Sequence, residues 1–332
     1  MAQITLFGTR PEAAIANIRA RAGKDRRNAG DGRKLALVVE GGAMRGAFSC
    51  GSGVALQALG LTNAFEEVYA CSSGALNAAY FVADQAAYSV SIYYDHVNNR
   101  QFINPLCFKN ILDMDFLFGQ VLTRRRPLDV ERALASPSRL LISITDAKTG
   151  TGFLADSKDR RYALLDMLRA SATHPLLSER SFQLGDRDCF DGGFANPLPI
   201  KDALAASCTD ILLLLTRPFD YVDPRPGFLM RELFRWRCAR GNATLVAAGQ
   251  DIHIRENQAR DLATGRTAPP PGVNIIAICP DAGTRLSRTM TDRNGLIAAA
   301  AAGARQLLRA FDGDPSRLDA ICRDLSSASP TR

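Results

Sequence analysis

An apolar, β-branched run that stops in a glycine-rich loop is the feature that most constrains the fold of this chain. Residues 35–40 read LALVVE and residues 41–46 read GGAMRG. A continuous apolar run closed by glycines predicts a strand that is buried in a sheet. Residues 47–59 are compatible with a helix of small residues, which would begin where the loop ends. Strand, loop and helix together indicate one unit of an α/β fold.

A second strand–turn–helix pattern follows and places a serine at the turn. The run VYAC ends at Ser72, after which the pattern becomes helical. In such a context a serine hydroxyl can be held above a sheet as a nucleophile. The small residues Ala70 and Gly74 support this interpretation, because strand and helix approach closely at the turn. Ser73 competes for the same role, and a buried or capping serine is the alternative without chemistry.

The glycine loop of residues 41–46 is interpreted as the site that stabilises the negative charge of an attacked carbonyl. A tetrahedral oxyanion needs N–H donors that are in place before the reaction, and glycine allows backbone amides to come close. A phosphate-binding loop is the runner-up, but Ala47 and Phe48 follow the last glycine where Lys and Ser or Thr are required. A dinucleotide fingerprint fails because the first two glycines are adjacent. A plain structural turn remains open.

Asp191 stands in an Asp-Gly-Gly turn and is the candidate base. A serine needs a base to remove its proton, and a partly desolvated carboxylate has raised proton affinity. An ordinary turn is the alternative. Ser72, Asp191 and His253 also occur in the chain order of an α/β-hydrolase triad, so a triad esterase stays open. The other two histidines, His96 and His174, form no metal-binding spacing with it, so we expect no metal.

The ordered set resembles the patatin-like phospholipase family. The elements that carry the resemblance are Gly41-Gly42-x-x-Arg45-Gly46, the serine turn and Asp191-Gly192-Gly193. Further matching pieces are Glu40, Gly74-Ala75-Leu76-Asn77, Thr145-Asp146 with Thr149-Gly150, Arg169-Ala170-Ser171 before Pro175, and Pro197-Leu198-Pro199-Ile200. The resemblance covers about residues 35–217.

This resemblance implies a three-layer α/β/α sandwich with a mostly parallel central sheet. It implies hydrolysis of acyl esters of lipids, of the phospholipase A or lysophospholipase kind, by a dyad of Ser72 and Asp191. Metal ions and cofactors have no part in it. The implied oxyanion donors are the amides around Gly41, Gly42, Met44, Arg45 and Gly46. A catalytically weakened lipid-binding or regulatory protein is an alternative, since Ala70 replaces a glycine of the family pattern.

Three regions are predicted along the chain. Residues 1–34 form a basic N-terminal arm or loosely attached helix, and residues 35–217 form the catalytic core. Residues 218–332 form a helical region with one further strand, packed on the core. The apolar stretches 106–118 and 228–236 are candidates for an acyl pocket or an interfacial surface, with plain core packing as the alternative.

Composition narrows the partners and the compartment. The net charge of +7 is concentrated in the N-terminal arm and in Arg124-Arg125-Arg126, which allows contact with an anionic membrane surface. Nucleic acid is not expected, because aromatic interleaving and a binding module are missing. Eight irregularly spaced cysteines favour a reducing compartment. Without a signal peptide pattern or a membrane-length apolar run, we expect a cytoplasmic protein that takes a lipid ester as substrate. The oligomeric state is left open.

Overall fold

A computed structural model of the chain describes residues 6–23, 32–107, 110–239, 242–311, 314, 316, 320 and 321. Residues 1–5 and 24–31 of the predicted basic arm lie outside the described residues. The strands are β1 (Phe7–Thr9), β2 (Leu35–Val39), β3 (Glu67–Cys71), β4 (Arg139–Asp146), β5 (Gly152–Asp156), β6 (Phe182–Leu184), β7 (Arg187–Asp191), β8 (Asp210–Leu214) and β9 (Asn274–Ile278).

The helices alternate with these strands over most of the chain. They are α1 (Pro11–Arg19), α2 (Gly46–Ala58), α3 (Ser73–Val82), α4 (Ala86–Ser89), α5 (Met114–Phe116), α6 (Val130–Ala135), α7 (Leu164–Ala172), α8 (Ile200–Ala205), α9 (Phe228–Phe234), α10 (Ala243–Gln250), α11 (Ile252–Ala263) and α12 (Arg293–Phe311). Short 3-10 turns lie at Ala43–Arg45 and Gly192–Phe194, and π-helical turns at Ile92–His96, Leu117–Arg125 and Arg235–Ala239. None of the helices in the described part of the chain has both the length and the apolarity to span a bilayer.

One mixed sheet organises the molecule, in the order β1-β9-β8-β2-β3-β4-β7-β6, with β5 paired to β4. Strands β9, β8, β2, β3 and β4 are mutually parallel. The remaining strands, β1, β5, β6 and β7, pair antiparallel. The predicted α/β class with a mostly parallel sheet is therefore confirmed.

Both faces of the sheet are covered, as the continuous apolar runs require. Along β2, Leu35, Leu37 and Val39 enter one hydrophobic cluster, which includes residues of α2, α3 and α12. The alternate residues Ala36 and Val38 enter a second cluster with residues of α8 and α11. This period of two follows from strand geometry. It produces the expected three layers, with the sheet in the middle.

The N-terminal segment is integrated more closely than the expected loosely attached helix. Strand β1 adds antiparallel to β9, with Phe7 opposite Ala277. On α1, the side chains of Ala14, Ile15 and Ile18 are buried in the core. Apolar residues at i, i+1 and i+4 of a short helix are enough to attach it to the sheet layer. At the other end of the chain, β9 lies within the same sheet as the core strands.

Candidate active site

Ser72 occupies the sharp turn between β3 and α3 with φ 54° and ψ −130°. A non-glycine residue with positive φ is strained, at about 1–3 kcal/mol, and persists only where its surroundings hold it. Two hydrogen bonds hold Ser72 in this conformation. The Ser72 N–H donates to Ser171 Oγ at 2.9 Å, and the Ser171 hydroxyl donates to the Ser143 carbonyl at 2.7 Å. The turn is thus tied to α7 and β4.

Two glycines permit the close approach that this turn requires. A Cβ at Gly74 would lie 2.5 Å from the Val39 carbonyl oxygen, so α3 can begin against the end of β2 only without a side chain there. A Cβ at Gly41 would lie 2.9 Å from Ser72 Cβ. The glycine loop and the serine turn are therefore in direct contact. Ala70, which stands where the family pattern has glycine, is fully buried in the core on β3.

Asp191 reaches the same place through the register of the sheet. It ends β7 and lies opposite Ile144 of β4, next to the pairing of Ser143 with Cys71. Its carboxylate accepts a hydrogen bond from the Gly193 N–H at 2.7 Å. Its exposed fraction is 5%. The structure therefore brings Asp191 beside the serine turn, although the two residues are far apart in the chain.

The pKa of Asp191 is raised above its ordinary value of 3.8. Burial is the main cause, because a desolvated carboxylate is less stable than the neutral acid. Hydrogen bonds from the Gly193 N–H and from the Ser72 and Cys71 side chains, and the charge of Arg288, offset part of this effect. The Asp191 carboxylate therefore interacts with the Ser72 side chain and has an increased affinity for a proton.

The amides of the glycine loop differ in their availability. The Gly42 N–H donates to Ser73 Oγ at 3.0 Å, and the Met44 N–H donates to the Arg288 carbonyl at 3.2 Å. The amides of Arg45 and Gly46 bond within the turn. In the described part of the chain, the Gly41 and Ala43 N–H groups have no acceptor. Ala43 was not among the predicted donors, and it adopts φ 50°.

Arginines add positive charge to this loop. Arg45 follows Met44, and its Nε is buried without a hydrogen-bond partner among the described residues. Burial, together with the nearby charges of Arg217 and Arg288, lowers the pKa of Arg45 to about 9. Arg45 remains cationic at neutral pH. Glu40 and Glu256 act on Arg45 in the opposite direction, so the loop lies among charges of both signs.

Next to this loop lies a cavity of about 410 Å³. Its lining combines the predicted chemical groups with an apolar interior. The chemical groups are Ser72, Asp191, Gly41, Gly42, Met44 and Arg45. The apolar residues include Leu76, Ile92, Val97, Phe102, Leu112, Met114, Leu117, Leu122, Leu177 and Met230. Both predicted apolar stretches thus contribute to one cavity. Of the other predicted site residues, Ala70, Gly74 and Gly46 lie behind its wall.

His174 and His253 differ in their position relative to the cavity. His174 lines the cavity, and its Nδ1 accepts a hydrogen bond from the Leu176 N–H at 3.3 Å. Burial and the charge of Arg288 lower its pKa to about 3, so the ring is neutral at physiological pH. His253 lies on α11 and does not line the cavity; its Nδ1 is buried without a partner among the described residues. The structure does not bring it to Ser72 and Asp191.

Ser73, the competing nucleophile, is 8% exposed. Its Oγ accepts the Gly42 N–H and also interacts with the Tyr93 hydroxyl, as the pKa of that phenol reflects. Ser73 therefore holds the glycine loop in place. Sequence reasoning missed this role, and it also missed Ala43 and Arg288. Arg288 carries no local signal, because it lies in a polar segment remote from every motif.

A serine at a strained strand–helix turn, a glycine loop in contact with it and a largely apolar cavity beside both define the class, which is an α/β protein with a serine site at one edge of its sheet. The profile of the patatin-like phospholipase family matches residues 37–204, just over half of the chain. The chain belongs to the patatin-like phospholipase family. At the level of that family, this supports hydrolysis of lipid acyl esters.

Individual relatives are more distant. The chain is 24% identical over 255 residues to the uncharacterized protein YjjU of Escherichia coli K12, covering 74% of this chain and 68% of YjjU. Among solved structures, VipD from Legionella pneumophila aligns with a TM-score of 0.47 and 13% identity. That alignment covers 85% of this chain and 67% of VipD.

Proposed function

We propose that the protein is a serine acyl hydrolase of lipid esters in which Ser72 is the nucleophile and Asp191 the general base. The observation that carries this proposal is the contact between a strained turn serine and a buried carboxylate of raised pKa. A carboxylate in that environment can accept the hydroxyl proton directly as the oxygen attacks. A dyad of this kind needs no histidine.

The oxyanion would be held by backbone amides of the glycine loop. Gly41 and Ala43 are the strongest donors, because their N–H groups are not engaged by other described residues. The Gly42 and Met44 amides contribute only if their present bonds to Ser73 and to Arg288 loosen. Donors fixed in advance, in a site that excludes water, stabilise the charge that develops in the transition state.

The reaction then proceeds in two halves. Ser72 Oγ forms a bond to the ester carbonyl carbon while its proton moves to Asp191. The tetrahedral intermediate expels the alcohol, which takes the proton from Asp191 and leaves an acyl-serine. Water attacks this acyl-enzyme, gives a proton to Asp191 and releases the fatty acid, and the proton returns to Ser72.

The cavity suggests the kind of substrate. Its apolar lining suits a fatty acyl chain, and Arg45 and Arg288 in that lining are the side chains that would contact an anionic group on the alcohol portion, as in a phospholipid or lysophospholipid. Peripheral contact with an anionic membrane and a cytoplasmic location belong to the same proposal.

The test compares three proteins on a water-soluble ester, p-nitrophenyl butyrate, and on a phospholipid panel. Ser72→Ala should lower kcat on the order of 10³-fold or more. Ser73→Ala is the matched control: it removes one hydrogen-bond acceptor in the loop and should lower kcat by about tenfold. Near-wild-type turnover of Ser72→Ala on every substrate would refute the proposal.

The triad alternative has its own test. His253→Ala should change kcat less than threefold in a dyad enzyme, since this side chain lies outside the cavity. A triad enzyme would lose on the order of 10³-fold or more.

A further inference from the structure

Helix α9 and the π-helical turn after it leave an apolar face exposed. We call it the α9 face, and its members are Phe228, Leu229, Met230, Leu233 and Trp236. Leu229 is 81% exposed and Trp236 is 75% exposed. Single exposed apolar residues are normal, but five within the segment 228–236 are typical of a surface that contacts another apolar phase.

The opposite side of the same helix is anchored, so the exposure reflects a defined orientation. Phe234 is buried and stacks on Phe194, with ring centroids 5.4 Å apart. Phe194 in turn packs on His174 at 5.2 Å. Leu229, Leu233 and Trp236 have the spacing i, i+4 and i+7, which places them on one side of a helix. The anchor connects α9 to the wall of the cavity and directs this side outward.

The α9 face continues into the cavity that contains Ser72. Met230 is half exposed and also lines that cavity, together with Pro226, which precedes the helix. Met230 therefore belongs both to the exposed face and to the lining of the cavity.

The charges around the face indicate which apolar phase it fits. Within residues 225–239, Arg225, Arg231 and Arg235 accompany one acidic residue, Glu232, which pairs with Arg235. Arg237 is directed inward, where it donates to the Pro175 and Ser178 carbonyls. Basic residues beside an apolar helical face are typical of helices that bind anionic lipid surfaces. Trp236 adds a side chain suited to the boundary between headgroups and acyl chains.

We propose that the α9 face docks the protein on an anionic phospholipid bilayer and passes lipid esters into the Ser72 cavity. The proposal rests on the proposed hydrolase function. A second copy of the chain fits less well, because an isologous interface would bring the same arginines together.

Trp236 is the single tryptophan of the chain, so it reports on the α9 face directly. The full chain carrying Ser72→Ala, which cannot consume the lipid, is mixed with vesicles of phosphatidylcholine containing about a third phosphatidylglycerol. We expect a blue shift of tryptophan emission and quenching by lipids brominated on the acyl chain. Vesicles of phosphatidylcholine alone should bind about tenfold more weakly, because local basic charge no longer contributes.

Two variants test the surface and one controls for added charge. Leu229→Glu and Leu233→Glu should each weaken vesicle partitioning at least about tenfold, since each removes an exposed leucine that the bilayer would bury and adds an acidic group. Ala298→Glu adds the same charge to an exposed position of α12, a helix that does not line the cavity, and should bind normally. In the Ser72-containing background, both leucine variants should cleave p-nitrophenyl butyrate at the wild-type rate, which also shows that they fold.

The outcomes separate this proposal from the proposed function. Unchanged Trp236 emission at saturating lipid, with normal cleavage of the soluble ester, would overturn the docking proposal alone. A blue shift that grows with protein concentration without lipid would overturn it in favour of self-association. Vesicle binding without any ester cleavage by the wild-type chain would leave docking supported and refute the hydrolase.

Discussion

Arg260 on α11 donates a hydrogen bond of 2.7 Å to Glu40, the residue directly before the glycine loop. Arg260 is fully buried and Glu40 is 4% exposed. The second carboxylate oxygen of Glu40 accepts from the Thr216 amide, and the Thr216 hydroxyl lies 3.0 Å from the Gly41 carbonyl oxygen. Although burial raises the pKa of Glu40, Arg260 and Arg217 outweigh it, and the pKa is lowered overall. A residue outside the family-matched segment thus supports the loop.

Arg260→Gln should lower both stability and turnover. Breaking a buried pair leaves one charge unpaired, and we expect the free energy of unfolding to fall by about 3–5 kcal/mol. If the pair positions the loop, the fold-change in kcat should exceed the fold-change in KM. Both are measured at a temperature where the variant is folded. Arg266→Gln is the matched control, because its pair with Asp261 is exposed and worth about 1 kcal/mol or less. Equal effects of the two variants on stability and kcat would contradict this account.

Asp191→Asn should inactivate the enzyme and stabilise it. In the wild type, the raised pKa means that stability present below pH 3.8 is lost as pH rises through the folded-state pKa. Asparagine carries no charge and keeps an oxygen for the Gly193 N–H, so the melting temperature at pH 7 should rise while kcat falls on the order of 10³-fold.

The pH profile gives an independent check on the same residue. Wild-type kcat/KM should decrease on acidification, with a midpoint above 3.8, because protonated Asp191 cannot accept the Ser72 proton. A profile that is flat down to pH 4, or an Asp191→Asn variant that keeps its activity, would show that another group is the base.

His174 should make the fold sensitive to acid. Its pKa of about 3 in the folded state lies below the ordinary 6.5, so the unfolded chain binds one more proton between these values. Stability is therefore present above about pH 6.5 and lost as pH falls towards 3, by up to about 1.4 kcal/mol per pH unit. Both proteins compared carry Asp191→Asn, and the free energy of unfolding is measured by urea titration at each pH from 7 to 4. It should fall less steeply with decreasing pH when His174→Gln is added. An unchanged dependence of the unfolding free energy on pH would show that His174 is solvated.

The parts of the fold that could be predicted are those with strong local patterns. The run from Leu35 to Val39 is buried on both faces and could only be a central strand, and the Ser72 turn followed from the small residues around it. Strand β1 was missed because three residues on a sheet edge are too few to show a hydrophobic period. The Arg260 and Glu40 pair joins residues 220 positions apart, and no spacing in a single sequence reports such a contact.

The candidate site shows the same division. Ser72 and Asp191 stood in recognisable turns, whereas the availability of each loop amide depends on what packs above it. The Met44 amide is occupied because a remote segment places the Arg288 carbonyl over it. Ala43 was overlooked because an alanine in the sequence does not predict a positive φ. Here the surrounding loop imposes that conformation.

The most direct test of the central claim is covalent labelling with a fluorophosphonate probe, followed by peptide mass spectrometry. The probe reacts with serines that are activated and have a preformed oxyanion site. We predict one adduct, on Ser72, that is lost in Ser72→Ala, strongly slowed in Asp191→Asn and retained in His253→Ala. Labelling of Ser73, or no labelling of the folded wild-type protein, would contradict the account.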